Sequence, residues 1–175
     1  ILQTSDGGYI ISGTTESYGH GGSDIWLIKT DPTGFMEWDA YFGGVNTDQG
    51  RSIQQMTDGG YIIIGSSDFS GDGNQDIWLI RTNSQGDSLW TKTFGGSGLE
   101  LGADVQVLED GGFILLGSTE SFGNGGSDIW LIKTDSQGET TWTKTFGDNS
   151  SDYGKSILKT SDGGYIIRGV TESFG

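Results

Sequence analysis

The chain has 175 residues, with 24 acidic and 9 basic side chains and a formal net charge of −15. This charge argues against nucleic acid or anionic lipid as a partner, because both need Lys and Arg to replace counterions. The sequence has no cysteine, which excludes disulfides and thiolate metal sites, and no apolar run is long enough for a membrane-spanning helix.

The sequence repeats with a period of 52 residues. A segment of Asp, two glycines, an aromatic residue and Ile marks each repeat and begins at Asp6, Asp58, Asp110 and Asp162. Such self-similarity indicates supersecondary units that stack on one another. The predicted repeats occupy 1–52, 53–104 and 105–156, with the first part of a fourth at 157–175.

Each repeat is predicted to form four short strands, which we name A to D. No helix is predicted, because no segment shows a 3.6-residue apolar period. In the second repeat the strands are predicted at 51–57, 61–66, 76–82 and 89–94. The A–B and C–D connections are short and contain glycine, which reaches positive φ without steric cost. The B–C connection at 67–75 and the D–A connection at 95–102 are predicted to be longer loops on the opposite face.

Strands B and C predict how the sheets are arranged, because both are apolar on their two faces. Ile62-Ile63-Ile64 and Ile77-Trp78-Leu79-Ile80 lack the alternation of a strand with one solvated face. Each four-stranded sheet must therefore be covered on both sides, as in the blades of a β-propeller. A β-trefoil, which also has three repeats of four strands, is the alternative, although the sequence continues through a further strand B after the third repeat.

A second motif has the form D-x-x-G-x-x-x-W, as in Asp31, Gly34 and Trp38, and it recurs at 135–142, and at 83–90 with Asn in place of Asp. It resembles the tryptophan-docking motif of quinoprotein-type propellers. The whole repeat also resembles those of large secreted or cell-surface propeller proteins of bacteria and archaea. The resemblance implies that the motif turn joins strands C and D, that the Trp packs between blades, and that the protein is extracellular or on the cell surface. Nothing points to a quinone cofactor, so dehydrogenase activity is not expected.

Three and a third blades do not close a ring, which needs about four or more blades. We expect the uncovered blade faces, rich in Ile and Trp, to be buried by further blades of the same chain or by other copies of it. Contacts between copies would be head-to-tail and would give a closed ring or a filament.

Acidic residues recur on the face that carries the longer loops, where function usually lies. A position in the D–A loop is occupied by Asp48, Glu100 and Asp152. A position in the B–C loop is occupied by Glu16, Asp68, Glu120 and Glu172, and strand C begins with Asp24, Asp76 and Asp128. One hypothesis is that this rim attracts divalent cations or cationic partners. The alternative is that the strand C aspartates only cap that strand and the other acids are solvated loop charges.

One loop offers a specific metal site. Asp72, Asn74 and Asp76 form a D-x-N-x-D spacing of hard oxygen ligands that suits Ca²⁺. The matching loops of the other repeats lack the first Asp, and the downstream bidentate Glu of an EF-hand is absent. Tyr18, Phe122 and Phe174 share a position in the B–C loops, where they either stack on a glycan or pack the loop onto the blade.

The sequence predicts a non-enzymatic extracellular scaffold for binding, adhesion or assembly. Catalysis needs a few unlike groups placed asymmetrically, whereas near-identical repeats offer the same groups on every blade. The single histidine, His20, is replaced by Asp72 and Asn124 in the other repeats, and no nucleophile elbow or phosphate loop is present. The alternative is a carbohydrate-active hydrolase, with paired carboxylates at the ring centre or outside this stretch.

Overall fold

The structure, a computed structural model, describes residues 1–69 and 73–173. These residues form strands and connections, and no helix occurs among them. The strands are, in chain order, β1 (Leu2–Gln3), β2 (Tyr9–Thr15), β3 (Asp24–Thr30), β4 (Met36–Phe42), β5 (Asp48–Gln55), β6 (Tyr61–Ser67), β7 (Asp76–Thr82), β8 (Ser88–Phe94), β9 (Glu100–Val107), β10 (Phe113–Thr119), β11 (Asp128–Thr134), β12 (Thr140–Phe146), β13 (Asp152–Lys159) and β14 (Tyr165–Thr171). Accordingly, no helix in the described part of the chain could span a membrane.

The strands form four separate sheets, each built from strands consecutive in the chain. The first three sheets have the orders β1-β2-β3-β4, β5-β6-β7-β8 and β9-β10-β11-β12, and the fourth pairs β13 with β14. All pairs are antiparallel. The prediction of four-stranded antiparallel blades is confirmed, and the fold is all-β and propeller-like rather than a trefoil.

The sheets stack face to face with their first strands together. Strand β5 contacts β9, and β9 contacts β13, while the second strand of each sheet lies against the first strand of the next. The first strands therefore line the centre of the arrangement, and β4, β8 and β12 lie at its outer edge. We name the contacts between successive sheets the first, second and third junctions.

Apolar side chains fill each junction. Ile25 and Leu27 of the first sheet pack with Ile63 and Trp78 of the second, and comparable clusters fill the second and third junctions. Every residue of β6 and of β10 is buried. This confirms for the two middle sheets that an apolar pattern on both faces means cover on both faces.

Trp38 and Trp90 pack across the first and second junctions, as the resemblance implied, whereas Trp142 is 36% exposed. A Cβ on Gly86, in the turn between β7 and β8, would lie 2.7 Å from Cζ3 of Trp38 in the preceding sheet. Gly86 also has a φ of +87°, so this turn needs glycine both for its backbone conformation and for contact with the indole ring.

The start of strand A was predicted wrongly. The expected D–A loop at 95–102 ends at Leu99, because β9 begins at Glu100. Gly102 suggested a loop, but a Cβ there would collide with the carbonyl oxygen of Gly65 in the neighbouring sheet. Glycine at this position allows β9 to approach β6 closely, so it belongs to a strand rather than to a turn.

Candidate functional site

In the structure, the acidic position expected in the D–A loop lies at the start of a strand. Asp48, Glu100 and Asp152 open β5, β9 and β13 and are 2%, 0% and 2% exposed. The expectation that they are solvated loop charges is therefore wrong. The strand C residues Asp24 and Asp128 are each 1% exposed.

These residues meet as pairs, one pair at each junction. At the first junction a Cβ on Gly43 would lie less than 3.0 Å from both Asp24 Oδ1 and Asp48 Oδ2. Gly95 stands in the same relation to Asp76 and Glu100, and Gly147 to Asp128 and Asp152. Each pair thus joins the third strand of one sheet to the first strand of the next, with a glycine beside the two carboxylates.

The carboxylates of the pairs accept hydrogen bonds from loop backbone. Asp24 Oδ2 accepts the N–H of His20 at 2.8 Å, and Asp128 Oδ2 accepts that of Asn124 at 2.8 Å. On the other side of the pairs, Asp48 Oδ2 accepts the Gly44 N–H at 2.9 Å. The pairs therefore fasten the B–C and D–A loops to the strand ends, as a capping role predicts.

The electrostatics of the pairs differ between junctions. Burial is the main cause that raises the pKa of Asp48, and the charges of Asp24 and Asp68 raise it further, although Ser67 and the Gly44 N–H oppose the shift. The pKa of Asp152 is lowered instead, because hydroxyl groups of Ser173 and Thr171 stabilise its charged form. The first junction thus disfavours charge on Asp48, whereas the third junction favours charge on Asp152.

The second acidic position stays on the surface. Glu16 and Glu120 are exposed and Asp68 is half-buried. The backbone N–H of Asp68 donates to Thr47 O at 3.1 Å, and that of Glu120 donates to Leu99 O at 3.0 Å. These side chains form an acidic rim around the loop face, and Asp68 Oδ2 accepts the N–H of Gly73 at 3.2 Å.

The proposed calcium loop is only partly visible. Asp72 and Phe174 lie outside the described residues. Asn74 is exposed, whereas Asp76 is half-buried at the start of β7, where it belongs to the carboxylate pair of the second junction. Among the described residues no three His, Asp or Glu side chains converge in a metal-binding group. The Asp72 loop stays a prediction.

Loop aromatic residues lie against the strand C tryptophans. The ring of Tyr18 is 5.7 Å from that of Trp26, and the ring of Phe122 is 5.0 Å from that of Trp130. Tyr18 and Phe122 nevertheless remain 58% and 44% exposed. They pack the loops onto the blades and still present an aromatic edge to solvent.

Sequence reasoning missed a cavity of about 210 Å³ near the centre, where the first strands meet. Arg51 and Lys155 line it together with Tyr153, Ala103 and Ser118, and no carboxylate is among its lining residues. Arg51 and Lys155 occupy the same position in their repeats. Aligning the repeats would therefore have indicated that these two cations lie near each other.

Comparisons with known proteins support the fold alone. No family model and no curated protein matches the chain. A crystal structure of a protein of unknown function from Bacteroides caccae superposes with a TM-score of 0.60 at 12% identity, over 91% of this chain and 50% of that one. At this identity the likeness concerns architecture, and the chain spans half the length of that neighbour.

Proposed function

We propose that the chain is a non-enzymatic β-propeller scaffold for binding, adhesion or assembly outside the cell. The observation that carries the proposal is the repetition of the carboxylate pair at the three junctions. Catalytic acids and bases are unlike groups that reach substrate, whereas these pairs hold loop backbone at equivalent places. The exposed acidic rim then suits cationic partners, and the loop aromatic residues suit glycans.

The alternative, a carbohydrate-active hydrolase, finds less support at the centre. Glycoside hydrolysis needs two carboxyl groups about 5 to 9.5 Å apart around a cleft. The central cavity is lined by Arg51 and Lys155 and by no acid. The pair of acids that such a site needs is thus not found among the residues that line this cavity.

The uncovered face of the fourth sheet favours assembly. Leu158, Ile166 and Val170 are 64%, 61% and 52% exposed, whereas Ile62 and Ile114, which match Ile166 in the middle sheets, are 0% exposed. Burying apolar surface is worth roughly 25 cal/mol per Å². Further blades of the same chain, or a second copy meeting this face head-to-tail, would recover that free energy. The resemblance to secreted propeller repeats supports an extracellular location.

Sedimentation velocity over a range of concentrations tests assembly directly. We expect the chain to self-associate, and Ile166→Asp to weaken the association at least tenfold. Leu89→Asp is the matched control, since Leu89 is 58% exposed but lies on the outer strand β8. A monomer at all concentrations, together with turnover of a glycoside substrate panel, would replace the scaffold by the hydrolase.

A further inference from the structure

Two cationic side chains line the central cavity, and no acid neutralises them. Arg51 of β5 and Lys155 of β13 are both part of the wall of this cavity of about 210 Å³, and its lining residues include no carboxylate. The ion pairs found among the described residues all involve other cations. Both side chains are exposed, so a ligand from solvent can reach them.

The acid nearest to the cavity in sequence is already engaged elsewhere. Asp104 follows the lining residue Ala103 on β9 but does not itself line the cavity. Its Oδ1 accepts the Ser52 hydroxyl at 2.7 Å, and its Oδ2 accepts the Ile157 N–H at 2.9 Å. The carboxylate of Asp104 therefore holds the first strands together and leaves the two cations of the cavity without a counterion.

The repeats explain why a space exists at this point. Arg51 and Lys155 occupy one repeat position, and the repeat between them has Ala103 there. Strand β9, which carries Ala103, lies between β5 and β13. A third long side chain at this position would fill the centre, whereas the methyl group of alanine leaves a cavity with one cation on either side.

A buried hydroxyl in the wall of the cavity points to a ligand independently of the two charges. Ser118 of β10 is 4% exposed and lines the cavity. The hydroxyl of the equivalent Ser66 accepts the Gly102 N–H at 3.0 Å, whereas that of Ser118 has no hydrogen-bond partner among the described residues. A buried hydroxyl without a partner costs free energy, which a hydrogen bond to a bound molecule recovers.

The two cations differ in what they offer to an anion. Arg51 Nη2 donates to Gln49 Oε1 at 2.5 Å, which leaves the other N–H groups of the guanidinium for a ligand. The planar fork of arginine matches a carboxylate through two parallel hydrogen bonds. Lys155 Nζ lies 5.6 Å from the ring centroid of Tyr153, so a cation and an aromatic ring stand side by side in the wall.

We propose that the central cavity binds a small organic acid of the size of one acidic monosaccharide, with its carboxylate on Arg51 and Lys155 and a hydroxyl group on Ser118. Pockets for drug-sized ligands measure roughly 300–1,000 Å³, so a cavity of about 210 Å³ suits a smaller molecule. The Tyr153 ring and the Ser118 hydroxyl offer contacts beyond those that a bare inorganic oxyanion needs.

The overall charge of the chain does not prevent this binding. The net charge of −15 repels anions at a distance, but salt screens that repulsion beyond about 8–10 Å, and the two cations contact the ligand directly. Because no carboxylate lines the cavity, the sugar is held without the acid pair that hydrolysis requires. The inference goes beyond the proposed scaffold and does not depend on assembly.

A ligand-observed NMR titration with sodium galacturonate tests the site. We expect saturable binding at one site, at least tenfold tighter than that of galactose, which has a hydroxymethyl group in place of the carboxylate. Arg51→Gln and Lys155→Gln should each weaken galacturonate binding at least fivefold. Lys144→Gln is the matched control, since it removes the same charge from the exposed outer strand β12, and should leave the Kd within about twofold.

A further variant separates the shape of the cavity from its charge. Ala103→Leu keeps both cations and fills the space between them, so we expect at least tenfold weaker binding in a chain that circular dichroism shows to be folded. Absence of saturable galacturonate binding, equal affinity for galactose, or binding that survives both Arg51→Gln and Lys155→Gln would overturn the proposal. Sodium sulfate that binds as tightly as galacturonate would overturn the assignment of an organic acid. None of these results alters the sedimentation test of assembly.

Discussion

The second and fourth sheets share the first three residues of strand B, Tyr-Ile-Ile, yet they bury them differently. Ile62 in β6 is 0% exposed, whereas its counterpart Ile166 in β14 is 61% exposed. Strand β6 lies between two sheets, while no described strand packs on the outer face of β14. Burial in this fold is therefore decided by the neighbouring sheet rather than by the local sequence, as expected of repeats whose stability depends on nearest-neighbour interfaces.

The largest expected effect tests this comparison with one substitution at two equivalent positions. Ile62→Ala removes a fully buried side chain from the second junction and should lower the free energy of unfolding by about 2–5 kcal/mol. Ile166→Ala removes an exposed one and should cost less than about 1 kcal/mol. Urea unfolding followed by tryptophan fluorescence measures both, and equal losses would show that the outer face of β14 is covered in solution.

A smaller effect sharpens the comparison at a junction carboxylate pair. Gly43→Ala places a methyl group against Asp24 and Asp48, whereas a Cβ on the adjacent Gly44 would meet no atom within 4 Å. Neither glycine has a positive φ, so the contrast reports space alone. We expect Gly43→Ala to cost about 1–3 kcal/mol and Gly44→Ala less than about 0.5 kcal/mol in the same assay. Similar values for the two would mean that the carboxylates move aside freely.

Strands B and C could be predicted from the sequence because turn-forming residues stand at their ends. The Asp-Gly-Gly turn and the turn ending at Gly86 enclose apolar runs, and β7 was predicted at its observed bounds. The start of strand A was predicted wrongly because a glycine in a single sequence indicates a loop. Gly102 is instead a strand residue that allows two sheets to pack closely. Its contact with Gly65 depends on the stacking of sheets, which local propensity does not encode.

The candidate site was predicted in its residues but not in its environment. Asp48 was identified from its repeated position, yet acidic residues are usually solvated, so its burial was unexpected. Its partner Asp24 is 24 residues earlier and meets it only after two sheets have stacked.

The smallest expected effect compares the Asp-Gly-Gly turns of the same two sheets. Asp58 pairs with the buried guanidinium of Arg81, while Asp162 interacts with Thr160 and Gly164 of its own turn. Asp58→Asn leaves Arg81 its carbonyl acceptors, Tyr61 O and Thr82 O. Because the Asp58 side chain is 63% exposed, solvent screening limits the loss to about 1 kcal/mol. For Asp162→Asn we expect less than about 0.5 kcal/mol.

The pH dependence of that loss identifies its source. The Gly60 N–H, and then Arg81, hold the pKa of Asp58 below the ordinary 3.8. A carboxylate with a lowered pKa in the folded state stabilises the protein above its unfolded pKa, and this stabilisation is lost as the pH falls through the folded value. The difference in unfolding free energy between the native chain and Asp58→Asn should therefore be constant near pH 7 and shrink below pH 3.8. A difference that persists at acid pH would mean that the loss comes from the geometry of the turn, which the second and fourth sheets share. It would not then come from the ion pair of Asp58 with Arg81.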